Sequence, residues 1–375
     1  MFNQIETPQL ILDKTRLKAN AAQFLDLAQK NSFFLRPHMK TAKSKNVADI
    51  ATDNRGSGIT VSTLKEAEYF AADEYTDILC AAGITPNKFQ YVKQIYETTG
   101  EQILLITDNL FVALAAVEFS DVEKCPMQFL IELDCGEHRG GIPVDSDTLI
   151  EIATLFHEAK NISFKGVLTH AGHSYATDNI EEIQEIAEAE RKTAVFAAER
   201  ISSIGIKSEI ISVGSTPTAL FAQSYEGITE VRAGVYMFFD LAQHSRKICT
   251  YDQIALSVLA TVIGHNNANQ SLIIDAGALA LSKDSSANRF SSGTDYGLVC
   301  DATTLAGLDG LHVNNLHQEH GNIKLDDPIW FERLPIGSLV RILPNHACPT
   351  AAAYEKYLVI DEGKVITTWP RINGW

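Results

Sequence analysis

The chain has no apolar run near the roughly 18 residues needed to cross a bilayer; stretches such as LSVLATVIG fall well short. The opening MFNQIETPQL has no basic segment leading into an apolar one, which argues against a secretory leader and makes the cytoplasm the expected location. Positive charge is scarce: 31 Lys and Arg against 47 Asp and Glu leave a net −16. Binding to phosphate backbones or anionic membrane surfaces needs a basic face, so neither nucleic acid nor membrane is an expected partner. Six cysteines (Cys80, Cys125, Cys135, Cys249, Cys300 and Cys348) show no CxxC and no regular spacing, which excludes a disulfide framework and implies reduced thiols. No Pro/Ser/Gly tract or single-sign charge block interrupts the chain, so long disorder is excluded. What remains is a globular chain of 375 residues, 45% apolar and large enough for a full core.

Between residues 33 and 239, short β-branched or apolar runs alternate with amphipathic segments, the pattern of parallel strands joined by crossover helices. Eight strands are predicted, near 33–38, 58–62, 77–83, 102–107, 127–134, 164–172, 209–215 and 230–238. Between them, segments such as TLKEAEYFAAD repeat apolar residues at helical spacing. The count predicts a closed (β/α)8 barrel over 13–244. From about 245 to 375 strand-like runs dominate, ALSVLATVIGH, QSLIIDAG, GLHVNNLHQEHG, GSLVRILPNHAC and YEKYLVIDEGKVITTW, which predicts a second, β-rich domain. Residues 1–12, with ETPQLILD, also read as extended and either join that domain or plug the base of the barrel.

Barrel enzymes build their sites at the carboxyl ends of the strands, and the chemically notable residues cluster there. Lys40 follows the first strand, DCGEHRGG with Arg139 the fifth, HAGHSY with His170, His173 and Tyr175 the sixth, and GSTPT with Ser215 and Thr216 the seventh. Gly234 lies on the eighth. GSTPT is a helix N-terminus signature whose backbone N–H groups suit a phosphate, although an ordinary capped turn reads the same way. Lys40 could belong with Lys43 and Lys45 to a solvated face; at a partly desolvated barrel mouth its amine could instead form an imine. A lysine imine beside a phosphate site suggests pyridoxal phosphate. Farther on, His346 and Cys348 end a strand in PNHACPT, where i, i+2 spacing puts both on one face. Imidazole plus thiolate suits zinc, although an isolated HxC can also be simple packing.

Together, RPHMKT, DCGEHRGGI, THAGHSY, VGSTPT, EVRAGVYMFFD, DAGALALSKD, HQEHG and PNHACPT resemble the D-threonine aldolase and D-serine dehydratase family, a branch of the alanine-racemase-like (fold-type III) pyridoxal-phosphate enzymes. The resemblance runs from about residue 7 to the C-terminus. It implies that Lys40 carries the cofactor, that Tyr175 contacts the pyridine ring, and that Thr216 with the backbone of Gly234 and Val235 holds the phosphate. It places Arg139, His170, Ser215 and Tyr236 in the cofactor pocket, His38 and Gln318 near the substrate, and a metal on His346 and Cys348. It further implies a homodimer with shared active sites, the β-rich domain of one subunit covering the barrel mouth of the other.

One departure bears on the reaction. Aldolase-type members commonly show HxD at the metal site, suited to manganese or magnesium, whereas Cys348 resembles the dehydratases with zinc. The expected activity is therefore metal-dependent removal of water from a D-β-hydroxy amino acid, of the D-serine or D-threo-3-hydroxyaspartate type, giving a keto acid and ammonia. Retro-aldol cleavage to glycine and an aldehyde is the alternative. Amino-acid racemisation and non-catalytic cofactor binding are the further readings.

Overall fold

In the computed structural model, which describes residue 2 and residues 4–375, the chain divides into two compact units: residues 1–22 with 235–373, and residues 23–234 with 374–375.

The unit of residues 23–234 is built on eight parallel strands. They are β2 (Phe34–Pro37), β3 (Ile59–Val61), β4 (Ile78–Cys80), β5 (Leu104–Thr107), β6 (Met127–Asp134), β8 (Ile162–Thr169), β9 (Ile210–Val213) and β10 (Glu230–Ala233); the short β7 (Ile142–Pro143) adds to β6, and β1 (Gln9–Asp13) lies in the other unit. Consecutive strands pair in order, β10 pairs with β2, and a parallel bridge from His38 to Thr60 closes the ring. This is the predicted TIM barrel, and each predicted strand is present. The eighth is shorter than expected, because the chain leaves the sheet after Ala233 and turns through a 3-10 segment at Val235–Met237.

A helix follows each strand up to β9 because the intervening segments carry both a start signal and an apolar stripe. Thr63 accepts the Glu66 N–H at the head of Leu64–Ala71, Asn109 caps Leu110–Glu123, Ser146 caps Asp147–Glu158 and Asn179 caps Ile180–Ser202. Inside the barrel Leu79, Leu104, Ile106, Leu130 and Leu168 form one cluster, so the lower barrel is filled and chemistry is confined to the strand ends.

The other unit is antiparallel. Its strands are β11 (Leu256–Asn266), β12 (Ser271–Ile274), β13 (Gly297–Asp301), β14 (Gly307–Leu316), β15 (Gly321–Lys324), β16 (Leu339–Pro344), β17 (Lys356–Asp361) and β18 (Lys364–Pro370). They run in the order β12-β15-β14-β13-β16-β11-β1-β17-β18, and the β11–β12 pairing closes the first six into a small barrel. Residues 9–13 settle the choice left by the sequence. β1 pairs antiparallel with β11 and parallel with β17, and Leu10, Ile11 and Leu12 are fully buried. The strand β13 was not anticipated.

Candidate active site

Lys40 sits in a turn just beyond β2, at the carboxyl end of the barrel, and is exposed. Its backbone N–H points at His38 Nδ1 at 3.4 Å, so that nitrogen is the acceptor and the ring proton lies on Nε2. Burial holds His38 well below the usual histidine range, and Lys40, Arg232 and His170 reinforce the effect. His170, after β8, behaves alike. Its Nδ1 lies 2.7 Å from the Gly214 carbonyl oxygen, and burial, with Lys40, Arg232 and Arg139 nearby, lowers its pKa to about 3 despite that bond. Both rings are neutral, and both report a local positive field in a chain of net charge −16.

The loop after β9 forms the predicted helix start. Ser215 caps the short Thr216–Phe221 helix in a reciprocal capping box with Thr218, and Pro217 stands in its first turn, where no N–H is missed. Ser215 Oγ also meets Ser174 Oγ at 2.8 Å, and the Thr216 N–H donates to Tyr175 Oη at 3.2 Å, which brings HAGHSY and GSTPT together. Gly214 has φ +138°, and a Cβ there would fall 2.0 Å from the Arg232 carbonyl oxygen, so only glycine fits. Gly234 also leaves little room: its Cβ would lie 2.8 Å from the His38 carbonyl oxygen. The Thr216 hydroxyl oxygen is buried with no partner among the described residues. An orphaned donor beside a tight glycine-containing loop is what a phosphate group would satisfy, and the residues present fit pyridoxal phosphate.

Arg139 is exposed, 3.6 Å from Glu137, and acts on His170 through its charge. Two buried residues of the barrel interior were not anticipated. Arg232 on β10 donates to Ser212 Oγ at 2.5 Å and to the Thr169 carbonyl at 2.6 Å, and Arg36 on β2 pairs with Glu230 at 2.5 Å and with Asp77. In sequence each is a polar residue inside a strand, and only the closed barrel shows that it points inward.

In the antiparallel unit, Val235 and Tyr236 form the 3-10 turn after the barrel; Tyr236 is fully buried, which raises its phenol pKa. Gln318 lies exposed in the β14–β15 hairpin, its amide 3.2 Å from Glu319.

His346 and Cys348 are brought together, but not by a strand. β16 ends at Pro344, His346 is the extended N-cap of the Ala347–Ala352 helix, and Cys348 lies in that helix's first turn. The turn is imposed from afar: Asp240, fully buried, accepts the Ala347 N–H at 2.8 Å. Asp284, a residue the sequence did not mark, lies 2.8 Å from His346 Nδ1, which orients the ring and leaves Nε2 as the nitrogen that could bind a metal. Burial disfavours charge on His346, but Asp284, Cys348 and Asp240 outweigh it and raise its pKa to about 11; Asp284 falls to about 2, chiefly through its bond to His346. Among the described residues no group of three or more His, Cys, Asp and Glu has the arrangement of a metal cage. The pair fits an open two-ligand site, in which water and substrate fill the other positions.

Residues 12–242 match the family model of the alanine racemase N-terminal domain, and residues 255–360 that of a putative serine dehydratase domain. The chain is 39% identical to D-threo-3-hydroxyaspartate dehydratase from Delftia sp. strain HT23, over 99% of this chain and 98% of that protein. It is 29% identical to D-serine dehydratase of Dictyostelium discoideum, over 100% and 98%. The solved structure of the Delftia enzyme superposes with a TM-score of 0.96, covering 100% of this chain and 99% of that one; a variant of that enzyme was also solved in a metal-free form, with the same score and coverage. The chain therefore belongs to the D-threonine aldolase and D-serine dehydratase family of alanine-racemase-like, pyridoxal-phosphate-dependent lyases.

Proposed function

We propose that this protein removes water from a D-configured β-hydroxy amino acid, D-threo-3-hydroxyaspartate or D-serine, releasing a keto acid and ammonia. The observation that carries this reading is the pairing of an imidazole and a thiol at His346 and Cys348, the ring oriented by Asp284, in a chain whose loops after β8 and β9 fit pyridoxal phosphate. Lys40 would hold the cofactor, Thr216 with the backbone of Gly234 and Val235 its phosphate, and Tyr175, His170, Arg139, Ser215 and Tyr236 would surround it. Pyridoxal phosphate, when bound, supplies an electron sink for the pair left as the Cα–H bond breaks. Lys40 Nζ takes that α-proton, and His38 and His170, neutral and beside it, compete for no proton at working pH. His346 and Cys348 would hold a divalent ion, zinc in preference to manganese or magnesium, whose charge makes hydroxide a tolerable leaving group. His38 and Gln318 would lie near the substrate.

The protein would work in the cytoplasm as a homodimer with shared active sites, and its functional domains would run 13–244 and 245–375, the latter with residues 1–12. The test supplies D-threo-3-hydroxyaspartate, D-serine and D-threonine and measures keto acid plus ammonia against glycine plus aldehyde, with and without chelator. Chelator-sensitive ammonia release supports the reading. Glycine and aldehyde would instead select the aldolase, the activity named for a 26%-identical relative from Paracoccus denitrificans, 3-hydroxy-D-aspartate aldolase.

A further inference from the structure

The long helix Ile180–Ser202 packs on the barrel through Ile183, Ala187, Ala194, Ala197 and Ile201, a stripe at three- and four-residue spacing. One member of that stripe breaks it. Glu190 falls in the middle of the apolar face and is 1% exposed. Helix packing does not explain it, since an aliphatic residue would serve the stripe better and a carboxylate is expensive to bury. Its partners explain it. Glu190 Oε1 accepts the Ala171 N–H at 2.9 Å and the Gly214 N–H at 2.9 Å, and the carboxylate also bonds the Thr218 hydroxyl. Ala171 adjoins His170 in the loop after β8, and Gly214 opens the loop after β9. The carbonyl of the same residue, in the next peptide along, meets His170 Nδ1 at 2.7 Å. One oxygen atom thus fixes the backbone beside His170 and the backbone of Gly214, the residue whose carbonyl orients the His170 ring.

We propose that Glu190 is a positioning residue of the cofactor pocket, a clamp that ties the loop after β8 to the loop after β9 and sets the plane of the His170 ring. The inference rests on the reading that these two loops hold pyridoxal phosphate. It assigns Glu190 no contact with cofactor or substrate. The clamp acts through hydrogen-bond acceptance, so a neutral acceptor of the same length preserves it. Glu190→Gln keeps an oxygen for both N–H groups, and the Thr218 hydroxyl can turn to meet the new amide. Glu190→Leu keeps the volume and removes the acceptor.

Two readouts test this. In the cofactor-free full-length protein, amide hydrogen exchange in segments 169–173 and 212–216 should quicken about tenfold or more in Glu190→Leu and stay near wild type in Glu190→Gln. In the cofactor-loaded protein, the pyridoxal-phosphate dissociation constant should rise about tenfold or more in Glu190→Leu, with a displaced visible band, and within about threefold in Glu190→Gln. Wild-type exchange, affinity and band in Glu190→Leu would overturn the clamp. If that variant does not fold, Glu190→Asp, too short to reach both loops, takes its place with the same expectation and the same overturning result. Should the wild-type protein itself fail to take up pyridoxal phosphate, the cofactor reading falls, while the exchange rates of the cofactor-free protein still decide whether Glu190 ties the loops.

Discussion

Two residues show how the mouth of the barrel is tuned. His170 is kept neutral because burial and neighbouring cations disfavour its protonated form, and its folded pKa of about 3 lies below the ordinary 6.5. The unfolded chain therefore binds this proton first as pH falls, so the stability is fully present above about 6.5 and is lost as pH falls through the folded value. Replacing His170 by Asn should flatten the pH dependence of the unfolding free energy between about 6.5 and 3 by up to ~1.4 kcal/mol per pH unit. Denaturant titrations at several pH values measure the slope. Gly214 is constrained by geometry instead: Gly214→Ala must move the chain away from the Arg232 carbonyl and abandon a positive φ. It should destabilise the barrel by about 2–3 kcal/mol and weaken cofactor binding, as thermal melts and equilibrium dialysis would record. The residues that sequence could mark were those in dense motifs, such as Lys40, Thr216 and the HxC pair. Arg232, Glu190, Asp240 and Asp284 were illegible, because each looks like an ordinary polar residue until a partner far along the chain meets it; Asp240 and Ala347 are 107 positions apart.

At the scale of elements, the barrel was readable because each strand is a compact apolar run and several of the following helices carry both a cap and a stripe. The antiparallel unit was read less completely. GLVCD, the five-residue β13, is too short to stand out from a loop, and it is held in the sheet by β14 and β16 on either side. PNHACPT misled because spacing of two fits a strand, yet it equally fits an N-cap and the second residue of a helix; Pro349, tolerated in a first turn, was the available signal. The element whose placement sequence left open, β1, is an interior strand of its sheet. Ile11 packs there with Phe2, Leu259, Ala302 and Ile360. Ile11→Ala should cost about 2–5 kcal/mol, measured by chemical denaturation, and a cost below ~1 kcal/mol would contradict an interior β1.

For the whole molecule, the proposed function requires an acidic chain to attract an anionic cofactor and the carboxylate of an amino-acid substrate. The local field resolves this, since Lys40, Arg232 and Arg139 all act on His170 while the excess acidic charge is screened at a distance. The proposed sharing of sites between subunits makes its own prediction. Lys40→Ala and His346→Ala should each be inactive, yet reassembled together they should regain about a quarter of wild-type activity, because half the dimers are mixed and one of the two sites in each is intact. No recovery would confine each site to one subunit. The central claim is that the amine of Lys40 carries the cofactor, and one measurement tests it most directly. After loading with pyridoxal phosphate and reduction with borohydride, peptide mapping should find the pyridoxyl group on Lys40 alone and no label in Lys40→Ala; a label on another lysine, or none in the wild-type protein, would contradict the account.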